Sequence, residues 1–521
     1  MAVVRVGLAG ALLLWGSVAT AGPLAAPGDR QLRQDVEALK AEGLIDGPID
    51  SWPLPWAQIG AGIDRARDGR ELPPHLLAAV NRLSRLADHA EQDRAFDGAI
   101  RGTNREALAR DFSDTARATA DVSGRAELNS DGWSLAVGGA VRTNQDGSAF
   151  KPDGTQLVVL AGNWAFHAGW STHWFGPGSD GALLFSNSAR PFPKFGVTRL
   201  MPEPIDFPVL RWLGPVRFEI FGGVLDEKRR DYNNIITVGT RLSFEPAKGL
   251  QIGLNRAQML CGKGRPCGFK QIFQSFVGIG NADNPTPGDP QAFLQQAGNQ
   301  LAGFDISYTH RFPRLAVKLY AEAEAEDFDN IILEQYGRLI GMTLSGPLGR
   351  RGASWSFNME YADTQAASLF NGTPLEKLTG GETVYPGSLY NNSLYFDGFA
   401  YNKRPIGYWT DGDSRNLAFN LSVTDTSNRR WFGVVRSVHL NFNNVGNPPF
   451  PATAPDGTVR GLTINRVSAN NEKFAMLGAG VEWPTSLGDL RLEGRWQGDS
   501  PNTPGRRAPK GAVEAGWRVR F

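Results

Sequence analysis

The sequence predicts an all-β barrel that crosses a membrane with antiparallel strands and is preceded by a small α-helical bundle. Three observations support this fold class. Apolar and polar residues alternate strictly over most of the chain, short and long connections alternate, and the final strand ends on an aromatic residue. A membrane barrel needs strands of about 9–11 residues with one apolar and one polar face. The chain divides on this basis into a leader, a helical part and a strand-rich part.

The first 21 residues have the pattern of a signal peptide. Arg5 provides the positive start, Val6–Trp15 is an apolar run, and Ala19-Thr20-Ala21 is a cleavage motif. The apolar run is too short to cross a bilayer as a helix, and the remaining sequence has no run of about 18 apolar residues. We therefore expect an exported protein and exclude a helical membrane protein.

Residues 22–112 predict a periplasmic bundle of about three helices. Asp29 can cap a helix that runs to Glu42 and stops at Gly43, while Pro55 and Pro73 open two further helices. Apolar residues recur in each at helical spacing. The sequence leaves open whether this bundle is a periplasmic plug of the barrel, a docking module or a simple N-terminal cap.

The spacing of apolar residues changes at about residue 115 from the helical period of 3.6 to the strand period of 2. We therefore predict that residues 113–521 form the outer-membrane barrel. The last strand shows the pattern most clearly. Its apolar face consists of Val513, Ala515, Trp517, Val519 and Phe521. A chain that ends on such a strand resembles bacterial outer-membrane barrels, and we expect Phe521 to address the barrel-assembly machinery.

The connections separate a barrel from a soluble sandwich, because a sandwich has no reason to sort its connections by parity. The predicted short turns are Pro246–Gly249, Phe312–Arg314, Pro347–Arg351, Thr426–Arg429 and Pro484–Gly488. The predicted longer segments are Met259–Leu301, Asp327–Glu334, Thr364–Asp413, Asn444–Asn471 and Gly498–Lys510. Short periplasmic turns and longer extracellular loops are typical of outer-membrane barrels. The remaining length predicts about 16–20 strands, an even number, around a lumen that is aqueous unless it is filled.

Composition agrees with a polar lumen behind a lipid-facing surface. The chain has 62 Gly, 14 Trp, a mean hydropathy of −0.29 and a net charge of +1. The near-neutral charge argues against a nucleic-acid partner. Cys261 and Cys267 flank a Gly/Pro-rich loop, and in an exported protein they predict a disulfide rather than a metal site.

One polar segment carries the first set of candidate polysaccharide-binding residues: His173, Trp174, Asn187, Arg190 and Arg199. These side chains can hydrogen-bond sugar hydroxyls and stack on a sugar ring, and Arg can pair with a uronate carboxylate in bidentate fashion. The Gly-Pro-Gly turn at residues 176–178 also fits another role, in which the same residues attach an inward-folded segment to the barrel wall.

A long loop carries the second set: Tyr385, Tyr390, Tyr395 and Trp409. Exposed aromatic residues in a loop favour stacking on carbohydrate. The alternative is that these rings pack the core of the loop or form the aromatic girdle.

Glu322, Glu324 and Glu326 alternate with alanines and predict an acidic row that faces the lumen. Like charges on one face repel unless cations lie nearby. Arg491 and Arg495 could supply those cations, which would make the row part of an internal salt-bridge wall. A cation-selective passage is the functional alternative.

Several motifs together resemble the capsule assembly Wzi family. They are H-W-F-G-P-G at 173–178, S-N-S-A-R-P at 186–191, R-W-L-G-P at 211–215, G-N-Q-L-A-G-F-D at 298–305 and E-Y-A-D at 360–363. The resemblance covers nearly the whole chain after the leader, although the family often has Leu where this chain has Phe175 and Asn where it has Ser188. It implies an outer-membrane barrel of eighteen strands with a periplasmic helical bundle. It also implies a lectin-like role in holding capsular or exopolysaccharide at the cell surface, while the extracellular loops match least well and do not identify the glycan.

No G-x-S-x-G elbow, H-E-x-x-H motif or P-loop is present in the sequence. We therefore expect a non-enzymatic, monomeric protein without cofactor or metal, whose partners are polysaccharide and outer-membrane lipid. A diffusion porin or sugar channel is the main alternative. A surface hydrolase with a site assembled from scattered residues is a third hypothesis.

Overall fold

The structure is a computed structural model, and the residues it describes exclude the predicted leader. They are residues 22–69, 71–143, 149–265, 267–277, 298–329, 332–379, 383–392, 394–445, 451–453, 459–461, 465–502 and 507–521.

The three predicted N-terminal helices are present. They are α1 (Arg30–Ala41), α2 (Trp56–Arg67) and α3 (Pro74–Ala90). The side chain of Asp29 accepts a hydrogen bond of 2.9 Å from the backbone N–H of Leu32, which caps α1 as predicted. Their apolar stripes form one core around Val36, Ile59 and Leu83. A fourth helix, α4 (Phe269–Val277), lies in a later connection.

Eighteen antiparallel strands, each paired with its neighbours in sequence, form a closed barrel. The first nine are β1 (Arg94–Thr103), β2 (Ala120–Ser130), β3 (Trp133–Arg142), β4 (Gln156–Ala161), β5 (Trp164–Ser171), β6 (Phe192–Arg199), β7 (Val216–Leu225), β8 (Ile235–Ala247) and β9 (Leu250–Leu260). The other nine are β10 (Gly298–Phe312), β11 (Leu315–Asp329), β12 (Ile332–Leu348), β13 (Ala353–Ala367), β14 (Arg415–Thr424), β15 (Arg430–Leu440), β16 (Glu472–Thr485), β17 (Gly488–Gln497) and β18 (Lys510–Arg520). The predicted fold class and strand number are confirmed.

The predicted C-terminal strand closes the barrel. β18 pairs with β1 from Glu514 opposite Thr103 to Arg520 opposite Asp97. Beyond this ladder, the backbone groups of Phe521 and Phe96 exchange hydrogen bonds of 2.8 and 2.9 Å. Closure leaves no unpaired sheet edge, as a spanning sheet requires in lipid.

The predicted domain boundary between residues 112 and 113 needs correction, because β1 already belongs to the barrel. This strand has a weak sequence signal. Its exposed face offers only Phe96 and Ile100 as large apolar residues, and Gly98 lies between them. The helical part therefore ends before Arg94.

The short connections share one end of the barrel, named here the turn end, and most long connections share the other, the loop end. Two connections depart from this pattern. The prediction of a long connection at Asp327–Glu334 is wrong, because β11 and β12 stay paired as far as Asp329 opposite Ile332. At the turn end, residues 200–215 form a long connection that contains the 3₁₀ turn Arg211–Leu213.

The remaining strands are short, and most pair with a strand close in sequence, whereas one pair joins the helical part to the inward-folded connection. They are Leu24–Ala25 with Leu54–Pro55, Ser51–Trp52 with Trp174–Phe175, Ala400–Tyr401 with Arg404–Pro405, Pro451–Thr453 with Val459–Gly461, Phe150–Lys151 with β3, and Val384–Tyr385 with β13. The turn Glu376–Thr379 is 3₁₀-helical.

The outer face of the barrel is apolar. Exposed residues such as Val137, Phe195 and Ile340 alternate along the strands with buried polar residues of the lumen. Large aromatic residues ring the turn end: Trp133, Trp164, Trp212, Phe312, Trp431, Trp483, Trp517 and Phe521. An apolar band bordered by aromatic residues is the surface that a barrel presents to lipid. In the described part of the chain, every helix is too short or too polar to span a membrane.

The helical bundle is docked into the turn end through buried ion pairs. Lys40 Nζ lies 2.5 Å from Glu245 of β8, and Lys318 Nζ of β11 lies 2.5 Å from Asp50. Asp50 also accepts a hydrogen bond of 2.5 Å from Ser307. Burial alone would raise the pKa of Asp50. The Lys318 ammonium and the Ser307 hydroxyl lower the pKa by more than burial raises it, so that it lies below the usual value. The carboxylate at Asp50 therefore favours the docked bundle.

We expect Asp50→Asn to weaken docking by about 3 kcal/mol, because Lys318 would keep only Glu37, at 3.2 Å, as an anionic partner. Hydrogen exchange of the amides of α1 in detergent-folded protein measures this. Because the folded pKa is lowered, the contribution of Asp50 is complete above about pH 4 and is lost as the pH falls further.

The matched control is Asp46→Asn. The Asp46 side chain is 66% exposed and pairs with Arg65, so this change should alter protection by less than about 1 kcal/mol. Equal protection in Asp50→Asn and the parent protein would contradict the docking role of Asp50.

Candidate functional site

Two long connections fold into the barrel and fill much of its lumen. The inward segment comprises residues 172–191, between β5 and β6, and the cap segment comprises residues 383–392 and 394–413, before β14. Both contribute to one apolar core with the barrel wall. Its buried members from the two segments are Phe175, Leu183, Leu184, Phe185, Ala189, Leu389, Tyr390, Leu394, Tyr395, Phe399, Tyr401, Ile406, Tyr408 and Trp409. The lumen is thus packed in its middle.

Two buried glutamates hold the backbone of the inward segment. Glu322 on β11 accepts hydrogen bonds from the N–H groups of Gly178 and Leu183, at 2.8 and 3.0 Å. Glu360 on β13 accepts from Ser179 at 2.6 Å and from Gly181 at 3.0 Å. Irregular backbone in a lumen has no ladder partner, so carboxylates that accept several N–H groups satisfy it.

The Gly-Pro-Gly turn is required by this close approach. Gly176 has a φ of +119°, and a Cβ there would lie 2.3 Å from Oε1 of Glu322. A Cβ at Gly178 would lie 2.1 Å from the carbonyl oxygen of Gly181. A side chain at either position would displace the segment from its carboxylate partners.

The predicted acidic row does face the lumen, but its partners differ from those expected. Glu324 accepts a hydrogen bond of 2.9 Å from Asn255, and Glu326 accepts from Asn299 at 2.6 Å and from the N–H of Tyr390 at 2.8 Å. With Glu322, the row therefore binds amide groups of the filling segments and the wall.

Arg491 and Arg495 do not neutralise that row, which corrects the sequence-based expectation. Arg491 on β17 lies 2.9 Å from Glu482 and 2.8 Å from Glu493, and Arg495 lies 2.6 Å from Glu514. Sequence alternation identified the face that these arginines occupy but not which strands meet across the lumen.

The first three candidate binding residues are buried contacts of the inward segment. The ring of Trp174 packs edge-on against Phe112 at 5.1 Å, within the core of the helical bundle. Asn187 donates to the carbonyl of Phe112 at 2.9 Å. His173 lies 2.9 Å from Glu219 of β7. These positions match the alternative role, attachment of the segment to its surroundings.

Arg190 and Arg199 lie at opposite ends of the barrel. Arg190 is half-buried at the loop end and donates to the hydroxyl of Tyr401 at 3.1 Å. Arg199 lies at the turn end and donates to the carbonyl groups of Glu203 and Val216, at 2.8 and 3.1 Å. The structure therefore does not bring these two residues into one site.

The four aromatic candidates belong mainly to the core of the cap segment. Tyr390, Tyr395 and Trp409 are at most 1% exposed, whereas Tyr385 is half-buried. Tyr395 donates to the carbonyl of Cys261 at 2.9 Å, and the indole of Trp409 donates to Asp180 at 3.3 Å. Sugar binding by these residues stays a prediction, and in this conformation only Tyr385 has an accessible ring.

The predicted disulfide is present. Cys261 and Cys267 are bonded and close a small loop directly after β9. Because Tyr395 donates to the carbonyl of Cys261, this bridged loop supports the cap segment.

A charged cleft, named here the arginine cleft, runs beside α1, mainly along the β13–β18 wall, and has a cavity volume of about 70 Å³. Eight cationic side chains line it: Arg30, Arg33, Arg105, Arg430, Arg436, Arg491, Arg495 and Lys510. Its acidic residues are four: Glu37, Glu106, Asp111 and Glu493. The lining is more positive than the chain as a whole, whose net charge is +1. Six of the eight pair with carboxylates: Arg30, Arg33, Arg430, Arg436, Arg491 and Arg495. The excess of positive charge that favours an anionic ligand therefore lies mainly at Arg105 and Lys510.

The cleft also offers an aromatic surface. The half-buried ring of Phe432 lies between the guanidinium groups of Arg430 and Arg491, each 5.1 Å from its centroid. Sequence patterns do not predict the cleft, because its residues come from one helix, the connection after β1 and several strands. The alternation along β15 does place Arg430, Phe432 and Arg436 on one face, and this spacing is the sequence signal from which part of the cleft could have been predicted.

The closed strands, the lipid-facing band and the packed lumen define a filled membrane-type barrel. The family model described as capsule assembly protein Wzi matches residues 96–495. The chain therefore belongs to this family, in agreement with the motifs noted in its sequence.

Three known proteins illustrate the similarity. An uncharacterized 55.8 kDa protein in the cps region of Klebsiella pneumoniae is 27% identical over 305 residues, which span 57% of this chain and 57% of that relative. The solved structure of Wzi from Escherichia coli, an outer membrane protein involved in group 1 capsule assembly and a carbohydrate-binding β-barrel, has a TM-score of 0.74. It is 20% identical and aligns over 96% of this chain and 99% of its own, which shows a shared fold. OprD of Pseudomonas aeruginosa has a TM-score of 0.42 at 9% identity, over 82% of this chain and 94% of its own.

We expect the double change Glu322→Ala, Glu360→Ala to release the inward segment, since at least four backbone N–H groups would lose their acceptor at about 1–3 kcal/mol each. Single-channel conductance in planar bilayers should rise well above that of the parent protein. Glu203→Ala is the control, because this 66% exposed side chain lies at the turn end. Unchanged conductance in a folded double variant would show that these carboxylates do not hold the lumen closed.

Proposed function

We propose that this protein is an outer-membrane, lectin-like barrel that binds capsular or exopolysaccharide and anchors it at the cell surface. The observation that carries the proposal is the family match over residues 96–495. The carbohydrate-binding barrel of Escherichia coli with the same fold supports it further. Binding without catalysis, in a monomer, is part of the proposal.

The surface of the barrel supports a location in the outer membrane. The girdle of large aromatic residues lies at the turn end. In outer-membrane barrels the end with the short turns is the periplasmic side. The helical bundle and Phe521 lie at the same end, so we assign them to the periplasm, where Phe521 would meet the barrel-assembly machinery. The loop end, with Arg190 and Tyr385, then faces outward.

The packed lumen favours a binding protein over a diffusion porin. A porin needs a water-filled lumen, which barrels of this size have when nothing fills them. Here the inward and cap segments form a core with the wall. Their carboxylate partners are buried, with Glu322 3% and Glu360 0% exposed.

The arginine cleft supports an acidic polymer as the ligand. Guanidinium groups pair with carboxylates in bidentate geometry, and contact with the ring of Phe432 orients Arg430 and Arg491 in the cleft. Three residues line the cleft at the loop end: Arg105 follows β1, Gln497 is the last residue of β17, and Lys510 is the first residue of β18. A uronate in a polysaccharide chain or branch could enter from this side.

The test is retention of detergent-folded protein on the host's isolated surface polysaccharide, with an unrelated neutral polysaccharide as control. We expect specific retention that falls at least tenfold when the uronates of the polymer are reduced to neutral sugars, because the arginines lose their ionic partners. It should also fall steeply with added salt. No retention together with large conductance would replace this function by that of a porin.

Variants locate the site on the barrel. We expect the double change Arg105→Gln, Lys510→Gln to lower retention about tenfold, since it removes two charges at the loop end of the cleft. Arg211→Gln, a 67% exposed arginine at the turn end, is the charge-matched control and should bind like the parent protein. Equal loss in both would indicate non-specific attraction rather than a site in the cleft.

A further inference from the structure

Three buried side chains converge beside the lumen core, outside the arginine cleft. They are His167 on β5, His173 at the start of the inward segment and Glu219 on β7. One nitrogen from each imidazole and one carboxylate oxygen lie within 4.8 Å of one another. The side chains of His173 and Glu219 are 1% and 4% exposed, and His167 is 2% exposed.

These atoms are poorly satisfied by protein hydrogen bonds. Among the described residues, neither ring nitrogen of His167 has a hydrogen-bond partner, and the same holds for Oε2 of Glu219. His173 Nε2 lies 2.9 Å from Glu219 Oε1 but is not aligned with it as a hydrogen bond. Each unpartnered atom has less than 1 Å² of accessible surface, so bulk water does not reach it. Burying such groups without partners is costly.

We propose that His167, His173 and Glu219 bind one divalent transition-metal ion of the Zn²⁺ class. Two imidazoles and one carboxylate are an established zinc donor set, with bonds of about 2.0–2.2 Å. Two donor atoms that each lie about 2.1 Å from one ion are at most about 4.2 Å apart, so a bound ion would draw the three donors closer together than 4.8 Å. Ca²⁺ and Mg²⁺ prefer sites in which all ligands are oxygens, whereas two of the three donors here are imidazole nitrogens.

The wall makes room for the imidazole of His167. Gly196 on β6 lies directly opposite His167 in the strand register. A Cβ at this position would lie 2.7 Å from Cε1 of His167 and 2.7 Å from Cβ of Phe221. The ring of Phe221 packs against His173 with centroids 4.3 Å apart. Glycine on one side and phenylalanine on the other thus orient the two imidazoles toward Glu219.

The positive charge of Lys194 opposes binding of this ion. Its ammonium lies 3.2 Å from Nδ1 of His173 and 4.0 Å from the ring centroid of Phe192. A second cation at this distance repels a bound metal in a buried site. The lysine stem is flexible, so the ammonium can move away, but its charge should lower the affinity for metal.

A bound ion would connect the inward segment to the wall. His173 directly precedes Trp174 and Phe175, which pack in the bundle and lumen cores, whereas His167 and Glu219 belong to the barrel. Three ligands from β5, the inward segment and β7 would cross-link these parts. The site therefore adds a metal staple to the carboxylates that hold the lumen closed.

The experiment uses full-length protein purified without a polyhistidine tag, folded in detergent with ZnSO₄ and dialysed against metal-free buffer. Zinc per chain is measured by mass spectrometry, and folding is checked by the heat-dependent mobility of the barrel on gels. We expect about one zinc per chain in the parent protein and at least a tenfold loss of affinity in His167→Gln and in Glu219→Gln. His439→Gln, which removes an imidazole bonded to Asn471 at the loop end, should retain the metal.

Lys194→Met provides an independent check, since it removes the competing charge and leaves all three ligands. We expect it to bind Zn²⁺ several-fold more tightly than the parent protein. Parent protein with no more zinc than His167→Gln would overturn the proposal, as would a folded Lys194→Met variant that binds zinc more weakly.

Discussion

The structure depends on how the polar backbone of an irregular segment is satisfied inside a closed barrel. Glu322 and Glu360 accept five backbone N–H groups of the inward segment, those of Gly178, Ser179, Asp180, Gly181 and Leu183. Each carboxylate alone would be costly to bury, and so would each N–H group. Together they remove both penalties and place the inward segment in the middle of the lumen.

Ion pairs then join the remaining parts to this segment. Asp111, in the connection after β1, lies 2.8 Å from Arg30 of α1 and 2.9 Å from Arg436 of β15. Arg436 in turn lies 2.7 Å from Asp180 of the inward segment. Helical bundle, connection, wall and inward segment thus share one buried network. Networks of this kind tend to specify a single arrangement, because each member is costly to leave unpaired.

The lumen is asymmetric as a consequence. The apolar core of the cap and inward segments contacts mainly β6–β13, with a few residues of β15 and β16, and the arginine cleft lies mainly along β13–β18. The same barrel can therefore be closed in its middle and still present a cationic surface to an acidic polymer. Its outer face stays largely apolar, since every second residue of each strand points to lipid.

The sequence by itself determined the elements whose signals are local. Helix caps such as Asp29, the period-2 strands, the Cys261–Cys267 bridge and the closing strand at Phe521 follow from neighbours along the chain. Only the tertiary structure decided which side chains meet across the lumen. It paired Glu322 with backbone N–H groups rather than with Arg491, and it buried Trp174, Tyr395 and Trp409 as core residues. The physical reason is that a strand pattern gives the face of a residue, whereas its partner depends on barrel closure and on how the connections fold inward.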